Sequence, residues 1–314
     1  MTISIACVQT KPIHLNPSST TDMICRYIEN ASKKESDLIV FPELILSGYP
    51  NFRMASLKYR EKYNHAAIYV NGPELEEISK KSEEFGVVVV LGFIERDPDF
   101  HEVIYDSSCV IDRDGTIVGT HRKIAPLGAE KLIFKEGDAG DIRIFETAVG
   151  KLGIGLCFEH VNPLYRRALT LLGEEIHCAL WVTSEDIKHV VDSSAIITAI
   201  EGGVYVALAS QVTGKKAKDL LARGQVFIGG SGILNPWGKY ISGPNYEHKE
   251  ILYADIDPTK WHTQKYQSRG IEARNDLLSL NIATETYQPF YVKNKEISEI
   301  NVSREQKSVK RTDK

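Results

Sequence analysis

Gly150-Lys151-Leu152-Gly153-Ile154-Gly155-Leu156-Cys157-Phe158-Glu159 decides the fold of this chain. Residues 150–156 read as a strand that runs straight into a cysteine. The next stretch, Pro163 to Leu172, has helical spacing with proline at its first turn, and His177 to Val182 is again a short apolar run. A strand, a helix and a second strand in this order make a parallel βαβ unit. The rhythm continues with a helix over Asp192 to Glu201 and a strand over Val204 to Ser210. Further strands are expected at Gly229–Leu234 and Ile251–Ile256, with the turn Asn235-Pro236-Trp237-Gly238 between them.

The first half has the same character. Strands are expected at Ile3–Val8, Asp37–Phe41 and Val87–Phe93, and helices at Thr20–Lys34 and Pro73–Phe85. The unbroken β-branched run at 87–93 is the pattern of a strand covered on both faces. Tyr105–Ile111 and Ile117–His121 flank the hairpin signal Asp112-Arg113-Asp114-Gly115. The whole is an α/β chain of layered sheets covered by helices. Domain expectations are one domain over 1–290 and a polar tail over 291–314. The stretch from Lys293 carries seven basic and four acidic residues and no aromatics, a composition expected to stay mobile.

Composition narrows the function classes. The chain has 314 residues, 42% hydrophobic and 25% charged, with a net charge of −4. An acidic balance argues against a general nucleic-acid binder. No apolar run is long enough for a membrane span, and the N-terminus lacks the basic segment of a secretory leader. Five cysteines without a CxxC pair argue against a disulfide framework and for a reducing, cytoplasmic setting.

Three strand ends carry reactive groups: Phe41-Pro42-Glu43 an acid, His121-Arg122-Lys123 a cation and Cys157-Phe158-Glu159 a thiol. In open α/β sheets, sites lie beyond the carboxyl ends of strands. An acid that removes the thiol proton, a thiolate that attacks and a cation that stabilises the developing charge make a set for nucleophilic acyl-type chemistry. Each alone is commonplace, since a cysteine after an apolar strand is usually a small buried hydrophobe. Metal-ligand spacing is lacking; His177-Cys178 point to opposite faces of a strand, so no metal is expected.

Together these segments resemble the signatures of the nitrilase superfamily of carbon–nitrogen hydrolases, in order and separation. Collateral matches are Glu43 to Pro50, Gly92 to Asp97, Ala129-Glu130-Lys131, Gly229-Gly230-Ser231 and Asn235 to Gly238, so the resemblance covers residues 3 to about 280. It implies a four-layer αββα sandwich. It further implies Glu43 as general base and acid, Lys123 as stabiliser of the tetrahedral intermediate, Cys157 as nucleophile and Glu130 as the glutamate that orients Lys123. The Phe158 N–H would complete an oxyanion hole with Lys123.

After the nucleophile, Glu159, His160 and Pro163-Leu164 are similar to the nitrilase branch, while Phe158 stands where tryptophan is usual. Arg269 to Asp276 is also similar to a nitrilase segment, with Asn275 where proline is usual; Leu127 departs as well. Phe158, Glu159, His160, Tyr49 and Trp181 are candidate substrate-binding residues, with Phe52 a further pocket-wall candidate. Glu159 reads equally as a partner behind the site and as a charge at a helix N-terminus, and His160 at least equally as a structural hydrogen bonder. The implied reaction converts a nitrile and two waters to a carboxylic acid and ammonia, with no cofactor. The rivals are an amidase or carbamoyl hydrolase using the same Glu–Lys–Cys set, and a nitrilase-like binding protein. The expected partners are a small nitrile or amide and further copies of the chain, as a homodimer or larger homo-oligomer, with no nucleic acid and no membrane.

Overall fold

The computed structural model describes residues 2–50, 57–213, 226–257 and 280–282, with backbone alone for 57–59. Phe52, the 269–276 segment and the 291–314 tail lie outside the described residues. The main compact unit is Met1–Thr284.

Two six-stranded mixed sheets form its centre. The first has the order β12-β1-β2-β3-β4-β5, with β1 Ile3–Gln9, β2 Leu38–Val40, β3 Val88–Arg96, β4 Ile104–Ile111, β5 Ile117–Arg122 and β12 Glu250–Ile256. The second has the order β11-β10-β9-β8-β7-β6, with β6 Phe145–Thr147, β7 Gly150–Leu156, β8 Ile176–Val182, β9 Tyr205–Gln211, β10 Gly229–Leu234 and β11 Tyr240–Tyr246. Within each sheet the central three strands, β1-β2-β3 and β7-β8-β9, run parallel.

Side-chain alternation explains the layering. Ile5, Cys7, Leu38, Val40, Val88 and Val90 join a core that also holds Ile154, Leu156, Cys178 and Leu180 of the second sheet. Their neighbours Ala6, Val8, Ile39, Val89 and Leu91 face the other way, onto Ile24 and Ile28 of α1 (Pro17–Ser32) and Leu75 and Ile78 of α3 (Pro73–Phe85). The second sheet is covered on its outer side by α4 (Pro163–Leu172) and α5 (Lys188–Gly202). This is the αββα sandwich the resemblance implied.

The expected elements are found, with shifted ends. Strand β3 runs on to Arg96 because its ladder with β4 continues to Arg96 opposite Ile104. Helix α5 starts at Lys188, four residues before the expected Asp192. Three elements were not anticipated: α2 (Leu57–His65), rich in charge, the three-residue edge strand β6, and β11. The Asn235–Gly238 turn therefore leads into β11 rather than into the strand at 251–256. The sequence of β11, YISGPNY, contains Gly243 and Pro244, which hide a strand from pattern reading; proline is tolerated there because β11 is a sheet edge.

All five cysteines are buried and unbridged. Among the described residues no helix is long and apolar enough to cross a membrane.

Candidate active site

Glu43 stands three residues past β2, in a turn where Leu44 takes a positive φ of 47°. The turn lies directly against β3 at Gly92. A methyl group at Gly92 would sit 2.4 Å from the Leu44 nitrogen and 2.7 Å from the Glu43 Cα, so only glycine lets the strand approach. Gly92 also donates its N–H to Pro42 O at 3.2 Å, and the Gln211 side-chain amide donates to Glu43 O at 2.7 Å. The second sheet thus grips the first at this glutamate.

Lys123 immediately follows β5. Its N–H donates to Asp106 O of β4 at 2.8 Å, which continues the β4–β5 pairing by one residue. Its ammonium is fully buried and lies 2.7 Å from Glu43 Oε1, 3.1 Å from Asp106 Oδ2 and 2.9 Å from Glu130 Oε2. Glu130 projects from the single 3-10 turn Gly128–Leu132, accepts the Leu127 N–H at 2.6 Å and takes a hydrogen bond from the Tyr49 hydroxyl.

Cys157 immediately follows β7 with a positive φ of 50°, a left-handed conformation that a non-glycine residue rarely adopts. The chain turns there into the 3-10 segment Cys157–Val161 and then α4. A strand, a strained residue and a helix in succession have the logic of a nucleophile elbow. Behind the turn, His160 Nδ1 lies 2.6 Å from Cys157 O, so that nitrogen carries the hydrogen. Glu159 points back between the two sheets: Oε2 accepts from Leu156 N at 2.8 Å and pairs with His121 Nε2 at 2.9 Å, and Oε1 accepts from Ile124 N at 2.7 Å.

The electrostatics follow from burial. Removal from water pushes the Glu43 carboxyl well above its usual range; Lys123 opposes this, while Asp106 and Glu130 add to it. Burial likewise raises Asp106 to about 6. Burial would lower the Lys123 ammonium, but Glu43, Asp106 and Glu130 together outweigh it and hold it well above its usual range. The Cys157 thiol is pushed up by burial and by Glu43, with Lys123 pulling the other way. Cys157 therefore rests as a thiol, and the raised proton affinity of Glu43 suits that carboxyl to accept the thiol proton.

The structure brings Glu43, Lys123, Glu130, Cys157 and Tyr49 into one cluster. Phe158 is partly buried, its ring 5.8 Å from that of Trp181. Trp181 is fully buried and stacks on His160 at 5.2 Å. Glu159 and His160 are buried and held by protein partners behind the thiol turn. Two members of the cluster escaped the sequence reading. Gln211 had no distinguishing signal. Asp106 had one: it is a carboxylate inside a strand of otherwise apolar and hydroxyl residues, and a buried acid demands a countercharge. Glu43, Asp106 and Glu130 approach closely enough to hold a metal ion, but the Lys123 ammonium stands within 3.1 Å of each.

A two-sheet sandwich that gathers a thiol, a lysine and two glutamates in one buried cluster presents the groups that nucleophilic acyl-type chemistry uses. The sequence model of the carbon-nitrogen hydrolase family matches residues 4–266, and the chain belongs to that family of enzymes. It is 32% identical to the bifunctional nitrilase/nitrile hydratase of Lupinus angustifolius over 313 residues, 92% of this chain and 88% of that protein. The fold is similar to that of a carbon-nitrogen hydrolase from Helicobacter pylori, with a TM-score of 0.74 and 23% identity over 89% of this chain and 99% of that one. It is also similar to that of an amidase from Nesterenkonia sp., with a TM-score of 0.68 and 20% identity over 88% and 96%.

Proposed function

We propose that the chain is a nitrilase that hydrolyses a small organic nitrile to a carboxylic acid and ammonia. The observation that carries the chemistry is the convergence of Cys157, held at a positive φ, with Glu43 and Lys123 in a buried cluster. The identity to a nitrilase/nitrile hydratase supports the nitrile as substrate.

Glu43 takes the Cys157 proton, and the thiolate adds to the nitrile carbon. Glu43 returns the proton to nitrogen, giving a thioimidate. Water then adds to the thioimidate carbon as Glu43 accepts its proton, and Lys123 with the Phe158 N–H stabilises the charge on the tetrahedral centre. Protonation of the nitrogen expels ammonia and leaves an acyl thioester, which a second water hydrolyses to the acid and the free thiol. Departure of the thiol at the tetrahedral stage would instead release an amide, an outcome in keeping with the bifunctional name of the lupin relative. Every step balances with water and these side chains, so no cofactor is invoked. Tyr49, Phe158 and Trp181 are assigned to the substrate pocket, and Glu159 and His160 to its support.

Ammonia release from matched nitriles and amides, with Cys157→Ala as control, tests the reading. Ammonia from nitriles that disappears in the variant is expected, and Glu43→Gln should lower kcat by at least about a hundredfold. Ammonia from amides or carbamoyl compounds alone would overturn the nitrile assignment and keep the mechanism. Self-association belongs to the same proposal: α4 and α5 expose Leu164, Leu171, Ile197 and Ile200, a surplus of large apolar side chains for a free surface. Sedimentation that shows a monomer would remove it. The unbridged cysteines support a reducing, cytoplasmic compartment.

A further inference from the structure

Three carboxylates surround one ammonium in a site closed to water, and their bonding is unequal. Both oxygens of Glu130 accept: Oε1 from the Tyr49 hydroxyl and from Lys123 at 3.0 Å, Oε2 from Leu127 N and from Lys123. Glu43 and Asp106 each give one oxygen to Lys123. Their second oxygens, Glu43 Oε2 and Asp106 Oδ1, are buried and meet no donor among the described residues. A buried anionic oxygen without a donor is costly, and neighbouring carboxylates in a dry site resist ionising together. One proton on the pair relieves both costs, because it neutralises a charge and supplies the missing donor. Carboxylate oxygens of Glu43, Asp106 and Glu130 lie within 4.8 Å of one another.

We propose that Asp106 is a positioning residue that shares a single proton with Glu43 beside the Lys123 ammonium, and so sets the pH range over which Glu43 serves as base. The proposal rests on the reading of Glu43 as the base for Cys157. Asp106 also holds Lys123 through its backbone carbonyl, so β4 aligns the cation from main chain and side chain together. The groups that face the pair are Lys123 after β5, Glu130 from the 128–132 turn, Tyr49 from the loop after Glu43, and Cys157 after β7. Of these Lys123 favours ionisation of the pair, and Glu130 opposes it. Like-charge pairing of this kind raises the proton affinity of one member. Asp106 also raises the thiol of Cys157.

The test compares native protein with Asp106→Asn, in which the amide oxygen can still accept from Lys123 while the charge is gone. Loss of that charge should move the acid limb of kcat/KM towards lower pH by about one unit or more, with KM little changed. The rate of Cys157 alkylation by iodoacetamide, located by mass spectrometry, should shift in the same direction. Alkylation needs no substrate, so it reads the proton arrangement even if no nitrile or amide is turned over. Unchanged pH profiles in a folded Asp106→Asn protein would overturn the proposal. Should that variant fail to fold, infrared spectroscopy of the native protein decides. A protonated-carboxyl band present near neutral pH and lost in Glu43→Gln supports the shared proton; its absence from the native spectrum overturns it.

Discussion

Glu159, two residues beyond Cys157, pairs with His121, two residues before Lys123, at 2.9 Å. The pair ties the thiol segment of one sheet to the lysine segment of the other. His121 Nδ1 faces Asp141 O at 3.0 Å, so both ring nitrogens have acceptors and the ring is held as a cation. Burial alone would lower its pKa; Glu159 and Asp141 prevail and raise it. Its contribution to stability is therefore complete below the ordinary imidazole range and is lost as pH rises through the raised folded value. Glu159→Ala should destabilise the protein by about 3–5 kcal/mol, because it strands a buried cation and the Leu156 and Ile124 N–H groups. Urea unfolding measures this, and a loss below ~1 kcal/mol would refute the tie.

The hydrogen bond from His160 to Cys157 O should matter for reactivity more than for charge. Burial and the neighbouring His177 keep His160 well below its usual pKa, so it stays neutral. His160→Phe keeps a ring on Trp181 but removes the donor that holds the thiol residue at positive φ. Alkylation of Cys157 should slow by roughly tenfold, the equivalent of one hydrogen bond, without a change in its pH midpoint. A shifted midpoint would mean that His160 takes part in proton transfer.

Gly92→Ala tests the seat of Glu43. The atoms a new methyl would meet are backbone, which cannot swing aside. A stability loss of about 1–3 kcal/mol is expected, with a larger fall in kcat than in substrate affinity, since the displaced carboxylate is the proposed base. An active variant of native stability would show that the Glu43 turn is adaptable.

Lys123→Met removes the countercharge that Glu43, Asp106 and Glu130 share. Glu43 and Asp106, already raised by burial, then hold protons more tightly, and stability should fall as pH rises through their folded values. At neutral pH the loss should reach about 3–5 kcal/mol and should shrink on acidification. Thermal melting across pH checks the sign; a loss independent of pH would mean that the carboxylates are not paired through Lys123.

Much of the site was legible in one dimension because each reactive residue ends or follows a strand with a clear apolar pattern. Val87–Phe93 and Gly150–Leu156 declare themselves by hydrophobicity, and Phe41-Pro42-Glu43, Lys123 and Cys157 stand just beyond such runs. Asp106 was only half legible: a carboxylate inside β4 calls for a countercharge, but the sequence does not say which one until Lys123 is placed opposite. Glu159 and His160 were readable as polar residues near a thiol, but whether they face substrate or support the turn depends on how the chain bends at Cys157.

The sequence by itself determined the α/β layering, the strand ends and the chemical types at them, because hydrophobic periodicity and local turn chemistry act over a few residues. Tertiary structure alone decided that three carboxylates share one ammonium, that Glu159 serves His121 rather than solvent, and that Gln211 of the second sheet grips Glu43. These contacts join residues from 7 to 168 positions apart in the chain, most of them far apart. Such contacts depend on sheet register and on desolvation, two quantities that exist only once both sheets have closed over the site.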